Sequence, residues 1–173
     1  VSTPTPAGGR YLEDFEVGAV YRCPVGRTIT ETDNTWFTLL TNNTNQIHFN
    51  EDYASRTPWG RCLVNSALTL SVVAGLGVAD FSANGFALGW DEIKLPHPVF
   101  AGDTLYSMTE VLEVRPSESR PEQGIVRVRT TGLNQDGVAV IEYVRSAMIW
   151  KRAHAPNSGL FPVPAIPGDS HVQ

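Results

Sequence analysis

The sequence predicts an α+β fold, and three observations carry that expectation. A strongly apolar helical pattern spans 63–76 in the first half of the chain. From Ala87 onward the apolar period changes from that of a helix to two, the period of a strand. With 173 residues, 42% hydrophobic and 18% charged, the chain suits one domain with a sizeable core and is too apolar to stay disordered. Four such strands around one buried helix make an α+β arrangement.

In chain order, residues 1–9 are rich in Pro and Gly and read as a flexible tail. A short strand is expected at 27–30. Thr32 and Asp33 read as a helix start, because short oxygen-bearing side chains satisfy the first free N–H groups. Trp36, Phe37, Leu39 and Leu40 follow at helical spacing and predict one apolar face over about two turns. The polar run 41–45 ends that helix, since Asn and Thr compete for its backbone hydrogen bonds. In the pattern at 63–76, Leu68, Val72 and Leu76 share a face, widened by Leu70 and Val73. Ser66, Ser71, Ala74 and Gly75 permit close approach, and Gly77 is the expected stop.

The strands come next. Residues 90–95 and 104–114 alternate, and 124–134 and 137–150 follow across an Asp136-Gly137 hairpin signal. Val126 and Val128 alternate with Arg127 and Arg129, so one side of that strand should meet solvent or a partner. The last strand carries apolar residues on both faces. If the helix covers one sheet face, a second copy of the chain is the simplest cover for the other. Residues 153–173 hold Pro156, Pro162, Pro164 and Pro167 without periodicity and read as a second tail, in which Leu160 and Phe161 are candidates to dock on a neighbour. The folded unit is therefore 10–152, a single domain.

Composition excludes several function classes. The formal net charge is −5 and no Lys/Arg block stands out, which argues against a nucleic-acid partner. No apolar run approaches membrane-spanning length, so no membrane partner is expected. Cys23 and Cys62 lack metal or redox spacing and are expected as reduced thiols in a cytoplasmic protein. No secretory signal is read in the sequence, so the sequon Asn42-Asn43-Thr44 is set aside as chance. One imidazole without a spaced partner is no zinc site, and no dinucleotide glycine fingerprint occurs, so neither metal nor cofactor is implied.

The chemistry concentrates between Thr41 and Ser66, where amides, hydroxyls and His48 lie between two helical patterns. A polar loop beside the start of a buried helix can form a site for a developing negative charge. On the residues alone, His48 is either a structural histidine or a general acid–base. Asn65-Ser66 is either a helix cap or the source of an oxyanion-binding N–H. Arg56 and Arg61 flank the loop and are either solvated or anion-binding.

These segments resemble a known family. The helix, the loop ending in Asn45-Gln46-Ile47-His48, the Tyr53-Ala54 pair, the helix entry Leu63-Val64-Asn65-Ser66, and the run Pro98-Val99-Phe100-Ala101-Gly102-Asp103-Thr104-Leu105 are similar to the MaoC-like dehydratases, or R-specific enoyl-CoA hydratases. The resemblance implies a hot-dog fold, a curved antiparallel sheet wrapped around a long central helix. Residues 11–15, 33–37, 41–48 and 88–92 narrow it to the itaconyl-CoA and mesaconyl-CoA hydratase subgroup. Family members carry an Asp–His catalytic pair; His48 matches the His, whereas Asn43 stands at the Asp and Gln46 at the Pro. Asn65-Ser66 replaces the His-Gly that enters the helix.

What the resemblance implies is a hydratase/dehydratase of a short, branched or dicarboxylic enoyl-CoA thioester, with CoA as part of the substrate. Asn43, His48 and the Ser66 N–H are the expected catalytic groups. Asn45, Asn65 and Arg61 are the expected substrate contacts, and a homodimer or higher homo-oligomer is the expected assembly. A carboxylate outside the loop, Asp33, Asp91 or Glu92, is a candidate for the missing proton role. The alternatives are a non-catalytic hot-dog subunit that binds acyl-thioesters and, ranked lower, an acyl-CoA thioesterase.

Overall fold

The structure, a computed structural model, describes Pro6 and residues 8–156. Leu160, Phe161 and the prolines from Pro162 onward lie outside the described residues.

Helix α3 (Ser66–Leu76) lies against an antiparallel sheet. The sheet comprises β1 (Val20–Arg22), β2 (Arg27–Thr28), β3 (Gly85–Lys94), β4 (Thr104–Pro116), β5 (Gln123–Leu133) and β6 (Ala139–Trp150). Their order is β1-β4-β5-β6-β3, with β2 also on β4. This is the expected hot-dog arrangement. Alternation on β4, β5 and β6 places Leu105, Val128, Ile141 and Tyr143 on the inner face, all buried. Leu68 and Val73 of α3 meet Leu105, Ile141 and Tyr143 in one cluster. A second cluster, built around Phe15, Tyr21, Phe81 and Val126, fills the other end.

Helix and sheet approach most closely at Gly132. A Cβ there would stand 2.6 Å from Ile141 Cγ2 and 2.7 Å from Val73 Cγ2. Glycine at this position therefore lets α3 reach the sheet.

Helix α1 (Glu31–Leu40) begins slightly earlier than its sequence suggests. Thr30 is the cap: its Oγ1 accepts Asp33 N–H at 3.1 Å, and Asp33 Oδ2 accepts Thr30 N–H at 2.8 Å. The helix ends in a Schellman turn. Asn43 N–H donates to Thr38 O at 3.0 Å and Asn42 N–H to Leu39 O at 3.1 Å. Asn42 takes the left-handed conformation at φ +52°, which Asn tolerates better than most residues.

The inward face of α1 differs from the expected one. Asn34 and Thr38 are buried, whereas Trp36, Leu39 and Leu40 are 67%, 61% and 78% exposed. Of the four apolar residues, Phe37 packs on the core. The cause is that α1 lies on backbone, where hydrogen-bonding side chains are needed, rather than on an apolar layer.

On the outer sheet face Arg127 and Arg129 reach solvent, as their alternation with Val126 and Val128 predicts. Val144 and Met148 of β6 are buried within the single chain. Arg127 on the neighbouring strand reaches Asp91 at 3.9 Å and Glu92 at 3.7 Å, and Arg129 reaches Glu110 at 3.3 Å. Charged side chains of opposite sign thus pair across strands on that face. Exposed apolar area collects instead on edge strand β3, at Phe86, Leu88, Trp90 and Ile93. Two irregularities in its pairing with β6 break the strict alternation expected there.

Packing includes Gly8 and Gly9, at the end of the segment read as a tail. Asn84 Nδ2 donates to Gly8 O at 2.8 Å, and Gly9 is buried. At the other end Arg152 pairs with Asp14 at 2.6 Å and stacks on Tyr11.

A Gly132→Ala variant should lose about 1–3 kcal/mol of unfolding free energy, because the added methyl overpacks the α3–sheet contact. Urea denaturation measures it, and an unchanged midpoint would show that the approach has room for a side chain.

Candidate active site

The loop after α1 is built by side chains that stand in for backbone partners. Asn43 Oδ1 accepts Asn45 N–H at 3.0 Å, and Asn45 Oδ1 accepts Ile47 N–H at 3.3 Å. These two bonds lead the chain into a single 3-10 turn, Gln46–His48. Asn50 then caps the short helix α2 (Glu51–Ser55), its Oδ1 accepting Tyr53 N–H at 3.1 Å. Leu63 N–H donates to Ile47 O at 3.0 Å and lays the approach to α3 beside this loop.

His48 is half-buried, and its Nδ1 lies 3.0 Å from Leu63 O. A carbonyl oxygen only accepts, so Nδ1 carries the proton and, in the neutral ring, Nε2 keeps its lone pair. His48 lines two neighbouring cavities. One, of about 410 Å³, is also lined by Glu31, Glu51, Arg61 and Cys62. The other, of about 240 Å³, is lined by Ser66, His97, Trp59 and Thr69. The Cys62 thiol is pushed up by burial, then by Glu51 and Glu31, and stays protonated.

Ser66 is the first residue of α3 and is exposed. Its backbone N–H has no hydrogen-bond partner among the described residues. The positive end of the α3 dipole therefore opens onto the lining that contains His48.

Other candidates sit elsewhere. Asn65, read as a substrate contact, is buried and engaged on every side. Its Oδ1 accepts Ala67 N–H at 3.0 Å, its Nδ2 donates to Thr38 Oγ1 at 3.3 Å, and its N–H donates to Asn34 Oδ1 at 2.8 Å. It caps α3 from within. Asn43, read as part of the reacting centre, lines neither cavity, and its Oδ1 already serves Asn45. Asn45 is likewise turned into its own loop.

The candidate carboxylates also line neither of the cavities that His48 lines. Asp91 and Glu92 face Arg127 on the outer sheet face. Asp33 forms a 2.8 Å pair with Arg27. The Arg27 hydrogen bonds, followed by those of Thr30 N–H and Oγ1, hold its carboxyl at about 2, below the usual 3.8. A group so strongly ionised is a poor proton carrier near neutrality. Arg56 pairs with Asp52 in the solvent. Arg61 meets the candidate site. Its guanidinium stacks on the Phe100 ring at 3.8 Å and has no carboxylate partner among the described residues.

Two residues at the site carried little or no sequence signal. His97 sits in the second cavity with its Nδ1–H directed at Ala139 O, 2.9 Å away. Asn34 ties together His48 O, Leu63 O and Asn65 N–H. Its signal is a polar pair, Asn34 and Thr38, at helical spacing on α1.

A helix wrapped by an antiparallel sheet defines a hot-dog protein, and here an imidazole and a free helix-tip amide share one lining. Comparison with known proteins narrows this. The mesaconyl-CoA hydratase family model matches residues 2–160, and the chain belongs to that family. It is 32% identical over 160 residues to a mesaconyl-CoA hydratase of Cereibacter sphaeroides, covering 92% of this chain and 46% of that protein. It is 32% identical over 145 residues to the beta-methylmalyl-CoA dehydratase of Chloroflexus aurantiacus, covering 83% of this chain and 41% of that one. A crystal structure of a putative MaoC domain protein dehydratase from the latter organism superposes with a TM-score of 0.79 at 30% identity, covering 96% of this chain and 47% of that chain. The chain spans about half the length of the curated relatives it matches. Among the described residues no helix is long and apolar enough to cross a membrane.

The Asp33 pair makes a signed prediction. Its folded-state pKa lies below the unfolded value, so its contribution is present above the unfolded value of 3.8 and fades as pH falls toward about 2. Asp33→Asn should flatten the acid slope of stability in that window, read by thermal melts from pH 5 to 2. The pair is partly exposed, so the change is small. An unaltered slope would mean that the pair does not form in solution.

Proposed function

We propose that this chain is a unit of a hydratase/dehydratase acting on a short, methyl-branched or dicarboxylic enoyl-CoA thioester. The supporting observation is the shared lining of His48, its Nδ1–H held by Leu63 O, and Ser66, whose N–H is unpartnered at the tip of α3. The names of the family and of its relatives, a hydratase and a dehydratase, support this reaction class.

Water bound beside His48 attacks the β-carbon, and its proton passes to Nε2. The electron pair of the double bond shifts toward the thioester, and charge gathers on the carbonyl oxygen. The Ser66 N–H and the α3 dipole stabilise that oxygen; one such donor contributes about 3–4 kcal/mol. The imidazolium then returns its proton to the α-carbon, leaving a β-hydroxyacyl thioester. Dehydration is the reverse. Oxidation state is conserved, so the scheme needs no cofactor beyond the CoA of the substrate. One imidazole serves both proton steps, and Asn43 contributes by shaping the loop that carries it. Asn45 does the same, and Asn65 supports Ser66 from behind. Arg61 takes an anionic group, either the substrate carboxylate or a CoA phosphate.

Edge strand β3 exposes apolar side chains that a second hot-dog unit would cover, either another copy of this chain or the other half of a longer protein. Free Cys23 and Cys62 accord with a cytoplasmic setting for this assembly.

His48→Gln should lower kcat for hydration of mesaconyl-CoA by about 10²–10⁴-fold while thioester binding persists. Loss of absorbance at the conjugated double bond reports the rate. Wild-type protein that binds the thioester without exchanging water would favour the non-catalytic subunit. Free thiol released from a saturated acyl-CoA would favour the thioesterase.

On light scattering, the wild-type chain should elute as a paired species and Leu88→Glu as a single unit. A monomeric wild type at tens of micromolar, roughly the range where specific interfaces persist, would remove self-association through β3.

A further inference from the structure

We propose that Asn34 is a positioning residue: its carboxamide holds the His48 imidazole and the N-terminal tip of α3 in one frame and maintains the acceptor that sets the ring's tautomer. The inference rests on the hydratase reading for its kinetic consequence, though not for its structural one.

Asn34 is 3% exposed on the inner side of α1, a position where an apolar side chain is the usual occupant. Burying an amide is unfavourable unless its hydrogen bonds are made. Here its donors are both engaged: Nδ2 donates to His48 O at 2.8 Å and to Leu63 O at 2.9 Å. Its Oδ1 accepts Asn65 N–H at 2.8 Å. One side chain thus joins three segments that lie 14, 29 and 31 residues from it in sequence.

The choice of partners separates this from a general structural bridge. His48 O belongs to the residue whose ring faces the cavities. Leu63 O is the acceptor of that ring's Nδ1–H, so it receives both Asn34 Nδ2–H and His48 Nδ1–H, one for each lone pair. Asn65 N–H precedes the free N–H of Ser66 by one residue. The carboxamide therefore fixes the backbone of the ring, the anchor of its Nδ1–H and the backbone at the helix tip. If Leu63 O turned away, the ring would lose the contact that keeps its proton on Nδ1. Nε2 could then carry it, and the lone pair would leave the cavity side. Misplacement of the ring and the tip by about 1 Å costs on the order of 10²-fold in rate.

Asn34→Asp tests this with little change of volume. A carboxyl there keeps an acceptor for Asn65 N–H and offers one donor at most, so at least one of the bonds to His48 O and Leu63 O is lost. Asn34→Ala removes all three bonds and is expected to destabilise the fold as well. Three readouts apply: kcat and KM for mesaconyl-CoA, the pH dependence of kcat, and the ¹⁵N shifts of the His48 ring, assigned by their disappearance in His48→Gln. Wild type should show the Nδ1–H tautomer when the ring is neutral. Asn34→Asp should show a mixture, with kcat at least about tenfold lower, KM changed less than about threefold and a displaced pH midpoint, as loss of transition-state positioning requires.

The proposal is overturned by a folded Asn34→Asp with the wild-type tautomer, pH midpoint and kcat. It is equally overturned by a wild-type ring protonated on Nε2, a result that needs no variant to fold. Should wild type fail to hydrate the thioester, the hydratase reading falls, and the ring shifts still decide whether Asn34 sets the tautomer.

Discussion

Where α1, the His48 loop and the entry to α3 converge, buried backbone N–H and C=O groups have little water to turn to. Asn34 supplies the missing partners, and Thr38, one helical turn on, accepts from the Asn65 side chain that caps α3. This constraint explains several features together. It accounts for polar residues on the inner face of α1, for the internal engagement of Asn65, and for the outward position of Trp36, Leu39 and Leu40. A partly satisfied network of this kind would be worse than an apolar layer. Its bonding is what allows a polar site to sit directly on the central helix.

From that junction the site gains two properties that an isolated loop would lack. His48 is held by its own carbonyl and by Nδ1, so the ring has a defined protonation site. The tip of α3 is fixed by a buried cap, so its first N–H faces the lining without being drawn into the cap itself. Electrostatic stabilisation works best when the dipoles are oriented before charge develops. The close approach at Gly132 supports the same geometry from the opposite side, because it seats α3 on the sheet.

Much of the fold is legible in the sequence. The apolar pattern of α3 and the period-two strands are read directly, and the hairpin at Asp136-Gly137 has Gly137 at φ +75°. The helix spanning Trp36 is also legible, though its inward face is not. Two stripes compete on α1, one apolar and one polar, and periodicity alone favours the apolar one. Only knowing that backbone lies beneath reverses the choice. The ion pairs on the outer sheet face are hidden for a related reason. Arg127 and Arg129 read as solvent-facing charges, yet their pairing with Asp91, Glu92 and Glu110 depends on strand register. Within the site, His48, Ser66 and Arg61 are brought to cavity linings as their motifs suggest, while Asn43, Asn45 and Asn65 turn to the backbone. Asparagine in a loop has both uses open to it, and composition does not choose between them.

In the proposed reaction, His48 Nε2 and the Ser66 N–H face the two ends of one activated double bond system. A crystal structure with a bound, unreactive enoyl-thioester analogue tests it most directly. The thioester oxygen should lie about 3 Å from Ser66 N, with Nε2 within hydrogen-bond reach of a water beside the β-carbon. An acyl group seated away from the α3 tip, or an imidazole whose Nε2 points into the protein, would contradict it.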